Sequence, residues 1–283
     1  MPFLSPKYRQ REIPIRAVIP NFITTMAMCA GLASLHFAMT DRPGLATDHL
    51  NLAMGAVLVS AILDVLDGRA ARMLRVTSSF GAVLDSLSDF LAFGVAPVVI
   101  LHRGAFVKED FLGLAAMTVY ATCAALRLAR FTSAANAPKP VDSKVEKPTA
   151  FFQGMPSPAA AGVVLIPPLL DASPTVGDYV NFPAWYIVVH TFVTGLLMIS
   201  TIPMFSIKKI RISPTLIAPG LVLMGLLVVG LIRDWWLTIA GLCLVYLLLI
   251  PVSVINKRRA SSVDSTRPLE NTVASASRPD PTP

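Results

Sequence analysis

Four aspartates, Asp64, Asp67, Asp85 and Asp89, fall within 26 consecutive positions of a chain with only 17 acidic residues in 283. Their spacing is that of two helix faces. Asp64, Asp67, Gly68, Ala71 and Arg72 follow one another at i, i+3, i+4, i+7 and i+8, one stripe of a helix with 3.6 residues per turn. Gly81, Asp85 and Asp89 follow at i, i+4 and i+8, one stripe of the next helix. The connector is short, so the helices are antiparallel neighbours and the stripes can meet. Carboxylates gathered this closely repel one another unless cations neutralise them. An all-oxygen ligand set favours Mg²⁺ or Mn²⁺ over softer metals. Gly68, Ala71 and Gly81 leave room for a bulky ligand against the helix backbones.

Two other readings compete. The acids could form interhelical ion pairs with Arg69, Arg72 and Arg75, but three guanidinium groups do not bury four carboxylates without further charge. They could line an ion path through a transporter. That reading predicts acids spread over several helices near the bilayer midplane, whereas these cluster at one end of one hairpin.

The elements that carry the stripes lie in a strongly apolar chain. Hydrophobic residues make up 54 % and charged residues only 14 %, against roughly 25 % charged in soluble domains, and the mean hydropathy is +0.64. Soluble, disordered and disulfide-scaffold classes are excluded on these values. Because a span needs about 20 apolar residues, the chain reads as eight spans, near 18–40, 50–73, 80–102, 111–133, 156–171, 182–204, 214–232 and 235–255. The fifth is short and proline-rich. The last two, broken only by Arg233 and Asp234, read as a hairpin. Around Pro138, Pro140 and Pro148 an exposed loop is expected, and after Asn256 a disordered tail. Of the 24 lysines and arginines, 20 fall on one side of this arrangement, which puts both termini in the cytoplasm and the protein in the cell (inner) membrane. The net charge of +7 then reflects cytoplasmic loops beside anionic lipid and not a nucleic-acid partner. Cys29, Cys123 and Cys243 stand far apart in apolar runs and read as small buried hydrophobes.

The run Asp64-x2-Asp67-Gly68-x2-Ala71-Arg72-x8-Gly81-x3-Asp85-x3-Asp89 resembles the complete signature of the CDP-alcohol phosphatidyltransferases. The resemblance implies an all-α polytopic membrane enzyme that moves a phosphatidyl group from a CDP-linked lipid to an alcohol and releases CMP. It implies a catalytic core of six spans over 18–205, after a cytoplasmic segment 1–17. A two-span hairpin over 206–255 and a tail over 256–283 follow. Asp64, Asp67, Asp85 and Asp89 are implied as ligands of two divalent ions, with Asp89 the candidate general base or a further ligand. Asn21, Thr24, Gly68, Ala71, Arg72 and Gly81 are implied around the nucleotide and its phosphates. Pro20-Asn21 also fits an ordinary helix start.

Four further stretches resemble the bacterial members that use L-serine: Asp85–Phe90 continuing into Phe93–Pro97, Leu126–Phe131, Phe152–Ala159 and Met198–Ser206. Thr132 departs from that pattern, which has Asn after the Arg-Phe pair. The implied substrates are CDP-diacylglycerol and L-serine, and the implied assembly is a homodimer. A serine carboxylate needs a cationic partner. Arg127 and Arg130 stand at i and i+3 near the cytoplasmic end of the fourth span, where anchoring at the membrane surface is the competing role. Other acceptors (glycerol phosphate, inositol phosphate, choline) and a transporter remain the alternatives at this stage.

Overall fold

The computed structural model describes residues 15–40, 46–75, 78–104, 110–136, 152–200, 203–204 and 217–265. Most of the expected N-terminal segment, up to Pro14, lies outside the described residues, as do the proline-rich loop 137–151 and the chain after Ser265.

Helices account for nearly all of the described chain: α1 (Ile15–Met39), α2 (Ala46–Leu74), α3 (Ser79–Asp89), α4 (Ala96–Gly104), α5 (Asp110–Asn136), α6 (Ser157–Val164), α7 (Ile166–Asp171), α8 (Ala184–Ile199), α9 (Ile217–Arg233) and α10 (Trp235–Ser265). A π-helical turn, Phe90–Val95, fuses α3 to α4 into one rod. Among the described residues, four segments are long and apolar enough to cross a bilayer: Val18–Met39, Asp48–Leu74, Phe80–Gly104 and Phe111–Ser133. Shorter apolar helices cover Ala184–Ile199, Ala218–Arg233 and Trp235–Pro251. The chain is therefore an all-α, multi-pass membrane protein.

Each expected span has a helical counterpart, with two differences. The fifth is two short helices and not one rod. Leu165, at φ −86° and ψ 1°, ends α6, and prolines in its first turn start α7. Pro167 and Pro168 lack the N–H groups that would continue the α6 ladder. At the other end, α10 carries on through Lys257–Arg259 to Ser265, where a disordered tail was expected. Lys, Arg and Ala are strong helix formers. The structure also contains one non-helical pairing. β1 (Phe152–Gln153) and β2 (Pro203–Met204) are antiparallel, with Phe152 opposite Met204. Gly154 beside it has φ +79°, and a Cβ there would lie 2.5 Å from the Met198 carbonyl. Only glycine fits so close to the α8 backbone.

Helix association follows the rules of a lipid solvent, in which close packing and interhelical hydrogen bonds replace the hydrophobic drive. Ser34 donates to the Ala53 carbonyl at 2.8 Å and Ser60 to the Ala27 carbonyl at 2.9 Å, which ties α1 to α2. α5 lies along α8, where Gly195 lets the helices approach so closely that a Cβ would be 3.0 Å from Tyr120 Cα. The Tyr120 hydroxyl donates to the Phe93 carbonyl at 3.0 Å inside the π turn. Beyond this core, α9 rests on α10 and turns large side chains such as Leu221, Met224 and Val229 outward.

Asp234 joins the last two helices. Its Oδ1 accepts the Leu237 N–H at 3.0 Å, the arrangement of an N-cap on α10, and its Oδ2 accepts the Ser173 hydroxyl. Burial disfavours its charged form, but hydrogen bonds from Ser173, the Leu237 amide and Thr175 outweigh burial and hold the carboxyl below the usual carboxylate range.

Candidate active site

The hairpin that carries the aspartates is closed by a tight link. Arg75, at φ +52°, reverses the chain just after α2, as residues beyond helix C-termini commonly do. Ser78, at φ −121° and ψ 146°, then caps α3 by accepting the Gly81 N–H at 2.9 Å. α2 and α3 both pack on α1, which brings the last turns of α2 and the first turns of α3 to the same end of the bundle.

At this end the helical stripes meet as their spacing requires. Carboxylate oxygens of Asp64, Asp67 and Asp85 all lie within 4.8 Å of one another. Asp67 is buried and accepts the Thr24 hydroxyl of α1 at 2.5 Å, with the Pro20 carbonyl 3.0 Å from the same hydroxyl as the alternative acceptor. The fourth acid adjoins Asp64, with which it shares a hydrogen bond. Asp89 is a turn deeper on α3, outside the group of three. It also interacts electrostatically with Asp85 and with the Arg127 guanidinium of α5.

A cavity of about 180 Å³ opens beside the carboxylates. Asn21, Thr24, Asp67, Gly68, Ala71, Gly81 and Asp85 are in its wall, so five of the six residues expected around the nucleotide line one space. The sixth, Arg72, is exposed and holds its guanidinium at the rim, 3.9 Å from where a Gly68 Cβ would be. Gly81 is the tightest point. A Cβ there would lie 2.7 Å from Asn21 Oδ1 and 3.0 Å from Ser78 Oγ, so any side chain would drive Asn21 out of place. A larger cavity, of about 660 Å³, lies between the opposite ends of α2, α4, α7 and α8. Its wall holds one carboxylate, Asp171, among residues such as Leu50, Met54, Leu101 and Phe182. The smaller space is the one with the chemistry.

The two expected acceptor arginines separate. Arg127 is half-buried and donates to Ser157 Oγ at 2.6 Å, and its Nε is buried without a hydrogen-bond partner. Arg130 is exposed. Ser157, 1 % exposed at the start of α6, lies inside the Phe152–Ala159 stretch; no local signal marks it as the partner of Arg127. Thr132, the departure from the serine-using pattern, lies 3.1 Å from Ser86 Oγ and bridges α5 to α3.

The donor set suits a hard divalent cation. Opposite ligands of an octahedral ion with bonds of 2.0–2.1 Å are separated by about 4.2 Å, within the spread of the three carboxylates. Paired with a neighbouring phosphate-sized space, a half-buried guanidinium and a further carboxylate, such a centre can neutralise a pyrophosphate while a hydroxyl is deprotonated nearby.

Comparison with known proteins points the same way. A family model described as CDP-alcohol phosphatidyltransferase matches residues 17–197. The CDP-diacylglycerol–serine O-phosphatidyltransferase of Mycobacterium leprae is 32 % identical over 250 residues, 88 % of this chain and 79 % of the relative. The protein of the same name from Helicobacter pylori is 35 % identical over 154 residues, 54 % of this chain and 58 % of the relative. That from Saccharomyces cerevisiae is 33 % identical over 150 residues, 51 % of each chain.

Proposed function

Because the chain belongs to the CDP-alcohol phosphatidyltransferase family, we propose that it transfers the phosphatidyl group of CDP-diacylglycerol to L-serine, giving phosphatidylserine and CMP. The observation that carries the choice of acceptor is the pair Asp89 and Arg127, a carboxylate facing a guanidinium with an orphan buried N–H. Serine carries a hydroxyl and a carboxylate a few ångströms apart. Between these two groups its carboxylate meets Arg127 and its hydroxyl meets Asp89.

The family depends on divalent metals. Asp64, Asp67 and Asp85 would hold Mg²⁺ or Mn²⁺ here, with Asp89 near enough to join a second ion. When bound, the metal supplies positive charge to the pyrophosphate of the lipid nucleotide. The chain's own residues do the rest. Asn21, Thr24, Gly68, Ala71 and Gly81 shape the cavity for the nucleotide and its phosphates, and Arg72 adds a cation at the rim. Asp89 takes the proton of the serine hydroxyl as that oxygen attacks the lipid-side phosphorus. The bond from phosphorus to the CMP oxygen breaks, and CMP leaves with the electron pair. Ser157 holds Arg127 in place through its 2.6 Å hydrogen bond. Asp67 is kept in its rotamer by Thr24.

We place the carboxylate end of the bundle at the cytoplasmic face of the cell (inner) membrane. The 20-to-4 split of basic residues supports that orientation and two cytoplasmic termini. A homodimer is the assembly expected for the family. The six-helix core would be the catalytic unit and α9–α10 an appended hairpin. The test is CMP release from CDP-diacylglycerol by the purified protein, with and without L-serine, beside glycerol phosphate, inositol phosphate and choline. Serine-dependent release with formation of phosphatidylserine is expected. Release with another acceptor alone would overturn the reading.

A further inference from the structure

The family match ends at residue 197, yet α10 reaches the acceptor corner of the site. α10 packs against α6, α7 and β2. Its contact with α6 is intimate: a Cβ on Gly162 would lie 2.7 Å from Cys243 Sγ. α6 starts at the carboxylate end, where Ser157 meets Arg127. α10 starts at the opposite end, where Asp234 meets Ser173 just after α7. The two helices are therefore antiparallel. One turn along α10 from Cys243 brings the chain to Tyr246, and the matching step back along α6 from Gly162 leads towards Ser157. Tyr246 and Arg127 are indeed within electrostatic reach of each other. Tyr246 is only half-buried and packs on the core.

We propose that Tyr246, supplied by the C-terminal hairpin, is an acceptor-binding residue whose hydroxyl donates to the serine carboxylate beside Arg127. This inference rests on the serine-transfer reading above. Arg127 already gives one N–H to Ser157 and retains a buried Nε–H with no partner. A carboxylate arriving there finds a cationic donor on one oxygen. It needs a second donor, since a carboxylate accepts several hydrogen bonds and pays for each one missing in a dry site. A phenol is a neutral donor that can fill that place without competing with Arg127 for the charge. An acceptor with no anionic oxygen, such as choline, gains nothing from it, so the hairpin contributes to the choice of alcohol.

The experiment compares full-length wild type with Tyr246→Phe, which keeps the ring and removes only the hydroxyl. The KM for L-serine should rise about tenfold, the usual worth of one hydrogen bond to a charged group. The kcat and the KM for CDP-diacylglycerol should stay within twofold, as should the thermal unfolding temperature in detergent to within a few degrees. Tyr246→Ala should raise the serine KM at least as much. An unchanged serine KM in Tyr246→Phe overturns the proposal, and so does a fall in kcat with a matching rise in the CDP-diacylglycerol KM, which is the mark of a repacking role. A wild type that releases no CMP with serine overturns the functional reading itself; a serine-active wild type with an unaffected Tyr246→Phe overturns the role of Tyr246 alone.

Discussion

Replacing Asp89 by asparagine separates proton transfer from metal binding. The amide matches the carboxylate in shape but cannot accept the hydroxyl proton. Asp89 lies outside the group formed by Asp64, Asp67 and Asp85, so those three remain to bind a cation when it is changed. Loss of a general base costs about 10²–10⁴ in rate, or about 2.7–5.4 kcal/mol of barrier. Asp64→Asn, in contrast, removes one of the three clustered carboxylates and should weaken metal and nucleotide binding together with turnover. Single-turnover CMP release gives the rate, and Mn²⁺ binding followed by electron paramagnetic resonance gives the metal affinity of each variant. Asp89→Asn should retain Mn²⁺ affinity within a few-fold of wild type. If it loses Mn²⁺ as severely as Asp64→Asn, Asp89 is chiefly a ligand and the proton goes to another group or to water.

Stripping divalent ions with EDTA should abolish CMP release, and Mg²⁺ or Mn²⁺ should restore it; full activity in the stripped protein would refute a metal role for the three carboxylates. Arg127→Ala should raise the serine KM about ten- to hundredfold with little change in the KM for CDP-diacylglycerol, while the exposed Arg130→Ala should stay near wild type in both. Asp234→Ala should lower the stability of the last hairpin by about 0.5–2 kcal/mol, the worth of an N-cap, as read by thermal unfolding in detergent. Because the folded-state carboxyl of Asp234 is held below its ordinary value, its contribution is present above about pH 4 and lost as the pH falls through the folded value. Asp234→Asn should therefore blunt the loss of stability in acid.

The stripes of α2 and α3 were legible in the sequence because helix geometry converts spacing directly into direction. Asp64, Asp67 and Asp85 converge as the 3.6-residue period requires, and Gly68, Ala71 and Gly81 open the cavity beside them. Span positions were legible for the same reason: about 20 apolar residues admit few other structures in a chain this hydrophobic. The fifth span was the weakest reading, and Pro167 and Pro168 break it into α6 and α7. Pairings between distant helices carried no local signal. Nothing in the sequence near Tyr246 points to Arg127, and nothing near Ser173 points to Asp234, because these placements depend on how α10 folds back over α6 and α7. The separation of Arg127 from Arg130 had the same cause. Both lie near the C-terminal end of α5 three residues apart, but α6 meets only the first.

The hydrogen bond from Thr24 to Asp67 also bears on how the chain is made. Spans leave the ribosome in order, so α1 is available in the bilayer before the acidic end of α2 arrives. Asp67 lies near the C-terminal end of α2, where an aspartate costs less than the about 2.5–3.5 kcal/mol of one at a helix centre, and a hydrogen bond to a charged group returns about 1.5–3 kcal/mol. Thr24, together with the Ser34 and Ser60 hydroxyls that lock α1 to α2, offers Asp67 a partner at the moment it leaves water. The first helix thus acts as an insertion aid for the second, and the acid that later serves the active site is sheltered before α3 has been synthesised.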